Sequence, residues 1–284
     1  MAKLMVIPSQ EDISDFMNYT DAFLFGIEKM SVHMPFYISI KQVKKYVKEI
    51  KKNKKKLFIA LNKNMRNEDL ESLESLLIQL DNLDVDGIFY YDVAVLNIKK
   101  RLDLQIPLVW SAEHLTTNYA TIQFWKNQGI DYTYISSEIT LREILEIREH
   151  TNCKLIVPIF GYLPIFVSKR HTVKNYLKQF RLQDSSNIHY LRLKEEDYPI
   201  IDDELGSTIY SAHILNGYHE YLALEDIEYV TLNSFEIPNE EFLKIVKMYF
   251  EKNPNHEEKI NQMFLNTDKG FLHKETIYKV KKYD

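Results

Sequence analysis

Short apolar runs alternate along the chain with longer segments whose apolar residues recur every three or four positions. The runs are Leu4–Ile7, Ala22–Phe25, Leu57–Leu61, Gly87–Tyr91, Pro107–Trp110, Tyr132–Ile135, Leu155–Val157 running on to Gly161, and Tyr229–Asn233. Bounded runs of this length read as strands, and the intervening spacing reads as amphipathic helix. Ile13, Phe16 and Met17 mark a short helix over Gln10–Asn18. Val43, Tyr46, Val47 and Ile50 form the apolar stripe of a second, capped by Ser39. Leu70, Leu73, Leu76, Leu77 and Leu80 are expected to face inward on a helix beginning at Asn67. Further helices are predicted over Val93–Arg101, Asn118–Gln128 closed by Gly129, and Asn239–Glu251. Another runs over Leu141–His150, where Thr140 and Glu143 have capping-box spacing.

Strand and helix alternating with short connections predict a parallel sheet. Eight such units suggest a (β/α)8 TIM-like barrel, with an open doubly wound sheet as the alternative. After Tyr176 the rhythm breaks. His189–Leu193, Pro199–Ile201 and Thr208–Ser211 read as short antiparallel strands with a turn over Asp202–Gly206. We therefore expect one barrel domain over 1–284, with 185–212 inserted as a hairpin between strands seven and eight. Leu215–Leu224 reads as helical.

Composition narrows the chemistry. The 27% charged and 45% hydrophobic residues are those of an ordinary globular protein, and a net charge of -5 gives no global field for nucleic acid. Only 7 glycines occur, and neither GxGxxG nor GxxxxGK[ST] is present. No apolar run is long enough for a membrane span, and MAKLMVIPSQED lacks the apolar core of a signal peptide, so a cytoplasmic location is expected. The single cysteine, Cys153, precedes a strand and is read as a small buried hydrophobe. It allows neither an internal disulfide nor an iron–sulfur or multi-cysteine zinc site within this chain.

In a barrel, the residues just beyond the strands gather on one face. Here they are Ser9, Glu28, Asn62, Asp92, Glu113 with His114, Glu138, Arg170 with His171, and Asn233, Ser234 and Glu236. Glu113 and Glu138 are a carboxylate pair suited to general acid–base work; each is equally suited to a helix N-terminus or a solvated loop. His213 and His219 are six apart and share no helix face, so no metal site is indicated. Ser168, Ser211 and Ser234 lack the context of a nucleophile elbow. Residues 41–56 carry a row of lysines, which is either a solvated helix face or a contact for RNA phosphates.

The segments SAEHLTTNYATIQFW, ISSEITLREI, VPIFGYLPIFVSKRHTVKNYL, YPIIDDELGSTIYSA and DKGFLHKETIYKVK, in that order, resemble the collagenase-like peptidases of family U32 in their short form. The resemblance implies an α/β barrel and, by name, a peptidase. It carries over Thr117 and Asn118 from the family's Thr-Asn and Glu138 from its Arg-Glu-Leu, with Ser137 in place of the arginine. It carries over Gly161 from a His-Gly pair, with Phe160 in place of the histidine. Ser168, Arg170 and Asn175-Tyr176 match a Ser-Gly-Arg-Cys segment running on to Asn-Tyr, with Lys169 and His171 replacing the glycine and cysteine. Relatives that hold an iron–sulfur cluster supply four cysteines, which this chain does not have. Some members act in hydroxylation of a tRNA wobble uridine with prephenate, and short and long members occur together. The resemblance thus implies either a peptidase, a tRNA-hydroxylation subunit, or a non-catalytic barrel beside a longer partner. Arg170, Asn118, Thr117 and Ser168 are the expected substrate-binding residues, and Glu138, His171 and Glu113 the expected catalytic ones.

Overall fold

The computed structural model describes residues 1–184, 186 and 188–274. Its strands are β1 (Lys3–Ile7), β2 (Ala22–Ile27), β3 (Tyr37–Ile38), β4 (Lys56–Leu61), β5 (Gly87–Tyr90), β6 (Leu108–Trp110), β7 (Tyr132–Tyr134) and β8 (Lys154–Gly161). They continue with β9 (Pro164–Ser168), β10 (Ile188–Leu193), β11 (Glu196–Asp203), β12 (Gly206–Tyr210), β13 (Ile214–Asn216), β14 (Tyr229–Asn233) and β15 (Thr267–Asp268). The helices are α1 (Ile40–Lys52), α2 (Leu70–Asn82), α3 (Val93–Leu102), α4 (Tyr119–Asn127), α5 (Leu141–His150), α6 (Thr172–Phe180), α7 (Tyr218–Ala223), α8 (Asn239–Glu251) and α9 (His256–Met263).

Eight parallel strands close in the order β1-β2-β4-β5-β6-β7-β8-β14, with β14 pairing both β8 and β1. The alternative of an open sheet is thereby excluded. Strand alternation sorts the apolar residues into two layers. On β4, Phe58 and Ala60 point into the lumen, while Leu57, Ile59 and Leu61 pack under the helices. Phe58 is the hub of the lumen: its ring meets Phe89 at 5.9 Å, Tyr132 at 5.7 Å and Tyr229 at 5.6 Å, all edge-on. The lumen is therefore a packed core and not a channel, and polar chemistry is confined to its ends. Outside, α1 buries Val43, Tyr46, Val47 and Ile50 and turns its lysines to solvent, where Lys45 and Lys51 pair with Glu11 and Asp84; Lys56, at the start of β4, pairs with Asp86. Ser39 caps α1, and Thr140 with Glu143 forms the capping box its spacing predicts; Ser39 also forms one with Gln42.

Between β8 and β14 the chain builds a second, antiparallel sheet in the order β10-β11-β12-β9. It is larger than a hairpin because the apolar burst after Gly161 becomes its edge strand, β9. Two glycines fix this junction. Gly161 has φ +115, and a Cβ there would lie 2.4 Å from the Asn233 carbonyl oxygen at the end of β14. Gly206 has φ +134 in the β11–β12 turn, and a Cβ there would lie 1.9 Å from the Ser168 carbonyl oxygen. The turn can seat against β9 only without a side chain.

Three local expectations differ. Gln10–Asn18 forms only a 3-10 turn, Ser14–Phe16. Leu70 begins α2 after a 3-10 turn and is exposed, while Leu73, Leu76, Leu77 and Leu80 are buried. Leu215–Leu224 is not one helix: Ile214–Asn216 adds to the edge of β8 as an antiparallel strand before α7 begins. The segment DKGFLHKETIYKVK extends past residue 274, and its remainder lies outside the described residues.

Candidate functional site

The C-terminal ends of the barrel strands and the edge strand β9 enclose a cleft of about 840 Å³. The loop after β2 contributes Lys29 and His33; the ends of β4 and β5 contribute Asn62, Lys63 and Tyr91; the loop after β6 contributes Glu113, His114 and Leu115. The antiparallel sheet forms the opposing wall with Ile165, Phe166, Val167, Ser168 and, just beyond β9, Lys169 and His171.

On the barrel side, His33 Nε2 lies 2.5 Å from Glu113 Oε1, and the two side chains are 10% and 25% exposed. Asn62 Nδ2 lies 2.9 Å from the same ring nitrogen. When Nε2 carries a proton it donates to the Glu113 carboxylate, and when it carries none it accepts from the Asn62 amide. Asn62 is itself held by the Val32 backbone, accepting from its N–H at 3.0 Å and donating to its carbonyl at 3.2 Å. His33 Nδ1 is buried without a partner among the described residues. Burial pushes the Glu113 carboxyl up, but the His33 charge and hydrogen bond, with His114, outweigh it and hold the group below its ordinary value. Beneath Glu113, burial raises the Tyr134 phenol to about 12, and its hydroxyl lies 3.2 Å from Thr231 Oγ1. A partly buried carboxylate joined to an imidazole in this way can hold or move a proton at Nε2.

On the sheet side, His171 Nδ1 donates to Asp202 Oδ1 at 2.7 Å, and Asp202 is 4% exposed. This leaves His171 Nε2 as the nitrogen free to act. Asp202 Oδ2 also accepts from the Lys174 N–H at 3.0 Å, and Ser207 Oγ accepts from the Thr172 N–H at 2.8 Å. The N-terminus of α6 is thus capped by the antiparallel strands, not by its own N-cap residue His171, whose side chain makes no capping bond.

Of the residues expected from sequence, Glu113, His171 and Ser168 line the cleft, while Glu138, Arg170, Asn118 and Thr117 are not among its walls. Asn118 caps α4, its Oδ1 accepting from the Thr121 N–H at 2.9 Å. Thr117 is the residue before that cap and is half-buried. Glu138 pairs with His114 at 3.1 Å, both half-exposed. Arg170 is exposed; its backbone N–H donates to Ser168 Oγ at 3.2 Å and its carbonyl accepts from Ser207 Oγ at 2.8 Å. Asp92 caps α3 and binds the Met65 N–H, a structural role. His33, Lys29 and Asp202 were not singled out by sequence. His33 sits in a loop without periodicity, and only the strand end just before that loop marks its place.

Cys153 is buried immediately before β8, against Thr133, at the end of the barrel away from the cleft. The thiolate set of an iron–sulfur cluster therefore does not fit this chain. Among the described residues no three His, Cys, Asp or Glu side chains converge as a metal site requires, and no helix is long and apolar enough to cross a membrane.

Comparison with known proteins finds the following relatives. The chain is 28% identical over 287 residues to "tRNA hydroxylation protein P2" of Bacillus subtilis (strain 168), covering 90% of this chain and 92% of that protein. It is 26% identical over 139 residues to "tRNA hydroxylation protein P1" of the same organism, covering 49% of this chain and 33% of that protein. A solved structure of the U32 peptidase Mk0906 superposes with a TM-score of 0.49 at 12% identity, over 82% of this chain and 93% of that one. The model of Peptidase family U32 matches residues 10–274, and the chain belongs to that family.

Proposed function

We propose that this protein acts in the hydroxylation of a tRNA uridine and that the cleft at the barrel mouth is its working site. The observation that carries this reading is the similarity to the tRNA hydroxylation protein P2, which spans nearly the full length of both chains. In this reading Glu113 and His33 hold and move a proton at the cleft floor, and His171, oriented by Asp202, supplies a second base from the opposite wall. Ser168 and Arg170 position the strand that closes the cleft, and Arg170 presents its guanidinium outside it to an anionic group of the substrate. Thr117, Asn118 and Glu138 serve by fixing α4 and the loop that carries His114. The absence of cluster-binding thiolates fits a chain that works beside a longer family member in the cytoplasm. Co-purification of the two from their native host tests that pairing.

Proteolysis is the reading that the family name suggests. Among the described residues no serine hydroxyl in the cleft is hydrogen-bonded to a histidine, and Ser168 Oγ is occupied by the Arg170 N–H. The deciding experiment is nucleoside analysis of tRNA from a strain lacking the gene. Loss of 5-hydroxyuridine and its derivatives is the expected result. Unchanged levels, together with casein cleavage by the purified protein, would overturn the reading in favour of a peptidase.

A further inference from the structure

The cleft has an unusual division of surface. Five large apolar residues stand exposed along it: Tyr91 (39%), Leu115 (59%), Ile165 (43%), Phe166 (47%) and Val167 (43%). Neither the Tyr91 nor the Phe166 ring stacks on another ring among the described residues. Ile165, Phe166 and Val167 belong to the antiparallel sheet, and across from them the barrel wall carries Tyr91 and Leu115 together with the hydrogen-bonding groups of His33, Glu113 and Asn62. Two cations stand at the cleft on different walls, Lys29 from the barrel and Lys169 from the antiparallel sheet. Neither has an ion-pair partner among the described residues, whereas Lys63 and Arg66 are paired with Asp69 and Glu68.

A ligand that matches these surfaces has a flat face to cover exposed rings, a polar edge to meet a carboxylate and an imidazole, and phosphates to meet lysines. A nucleotide has all three, and a volume of about 840 Å³ accommodates one with room for its neighbours. A base paired within a duplex offers none of its face, so the base must come from a single-stranded loop or be turned out of its stack. We propose that the cleft is a nucleobase pocket for single-stranded RNA. Phe166 and Tyr91 cover the base, His33 and Glu113 read its edge, and Lys29 and Lys169 hold the flanking phosphates. This rests on the tRNA reading above for the identity of the polymer and adds the residues that receive it.

The experiment measures binding of a fluorescent RNA hairpin with a uridine-containing seven-nucleotide loop, and of a blunt duplex of the same stem, by anisotropy across a salt series. The wild-type chain is expected to prefer the looped RNA. Phe166→Ala and Tyr91→Ala are each expected to weaken it by roughly 5- to 150-fold, the range for loss of one base–aromatic stack. Phe166→Trp is expected to retain binding, which separates stacking from misfolding. Lys29→Ala and Lys169→Ala are each expected to lower the slope of log affinity against log salt by about 0.7. No binding by the wild-type chain, equal binding of duplex and loop, or unchanged binding by the ring variants would overturn the proposal. Failure of the hydroxylation reading looks different: 5-hydroxyuridine persists in the deletion strain while the ring variants still lose loop binding.

Discussion

The His33 imidazole and the Glu113 carboxylate meet at 2.5 Å across two loops that are 80 residues apart in sequence, and the contact closes the floor of the cleft. Burial alone would push the Glu113 carboxyl up, but His33 holds it below its ordinary 4.5. A carboxyl whose folded value lies below its unfolded one stabilises the fold at pH above the unfolded value. That contribution is lost as pH falls through the lower folded value. Glu113→Gln removes the charge and keeps the shape. It should cost about 1–3 kcal/mol at neutral pH, and the difference from wild type should shrink below about pH 4. Urea unfolding of both proteins at pH 7 and pH 3.5 measures this; an equal difference at both values would contradict the assignment.

The β11–β12 turn reaches the cleft only because Gly206 has no side chain. Gly206→Ala brings a methyl group against the Ser168 carbonyl in a backbone region that L residues avoid. The substitution should destabilise by about 1–3 kcal/mol. Because Ser168 borders the cleft, proteolysis should become faster within 164–212 before the barrel yields. Limited proteolysis with mass mapping checks the order of cleavage.

The lumen gives a contrasting expectation. Phe58 contacts three rings from β5, β7 and β14 and is fully buried. Phe58→Ala should cost about 3–5 kcal/mol and lower the midpoint of a single cooperative transition. Thermal unfolding followed by circular dichroism and by tryptophan fluorescence should show the two signals moving together.

Much of this architecture could be read in the residues. Tyr229–Asn233 and Asn239–Glu251 have their predicted bounds, because each apolar pattern meets a polar or proline boundary at both ends. Ser39 and Thr140 were legible as caps because capping depends on residues three positions apart. The site was legible only in part. The rule that strand ends converge named Glu113 and His171, which line the cleft, and weighted equally Glu138 and Arg170, which lie outside its walls. Which strand-end residues turn inward depends on loop paths that no local period encodes. His33 shows this, in a loop at φ +44, and so does Asp202, which serves a helix about thirty residues earlier. The strand β13 was missed for a related reason: it completes an edge of β8, and edge pairing is a tertiary property.

Asp202 orients His171 and caps α6 at once. Asp202→Asn keeps most of the shape but removes the charge that favours the Nδ1–H form of the ring. It should reduce tRNA hydroxylation by at least about ten-fold while leaving the unfolding midpoint within a few degrees of wild type. His171→Ala should reduce hydroxylation as far, and the double variant no further, since the two residues act as one unit.

The account stands on the claim that this cleft serves a tRNA uridine. The most direct measurement is 5-hydroxyuridine content, by mass spectrometry of tRNA nucleosides, in a deletion strain complemented with wild-type protein or with the His33→Ala or Glu113→Gln variants expressed at equal levels. Restoration by wild type, with less than a tenth of that level from either variant, is the predicted result. Full restoration by both variants, or a deletion strain that never lost the nucleoside, would contradict it.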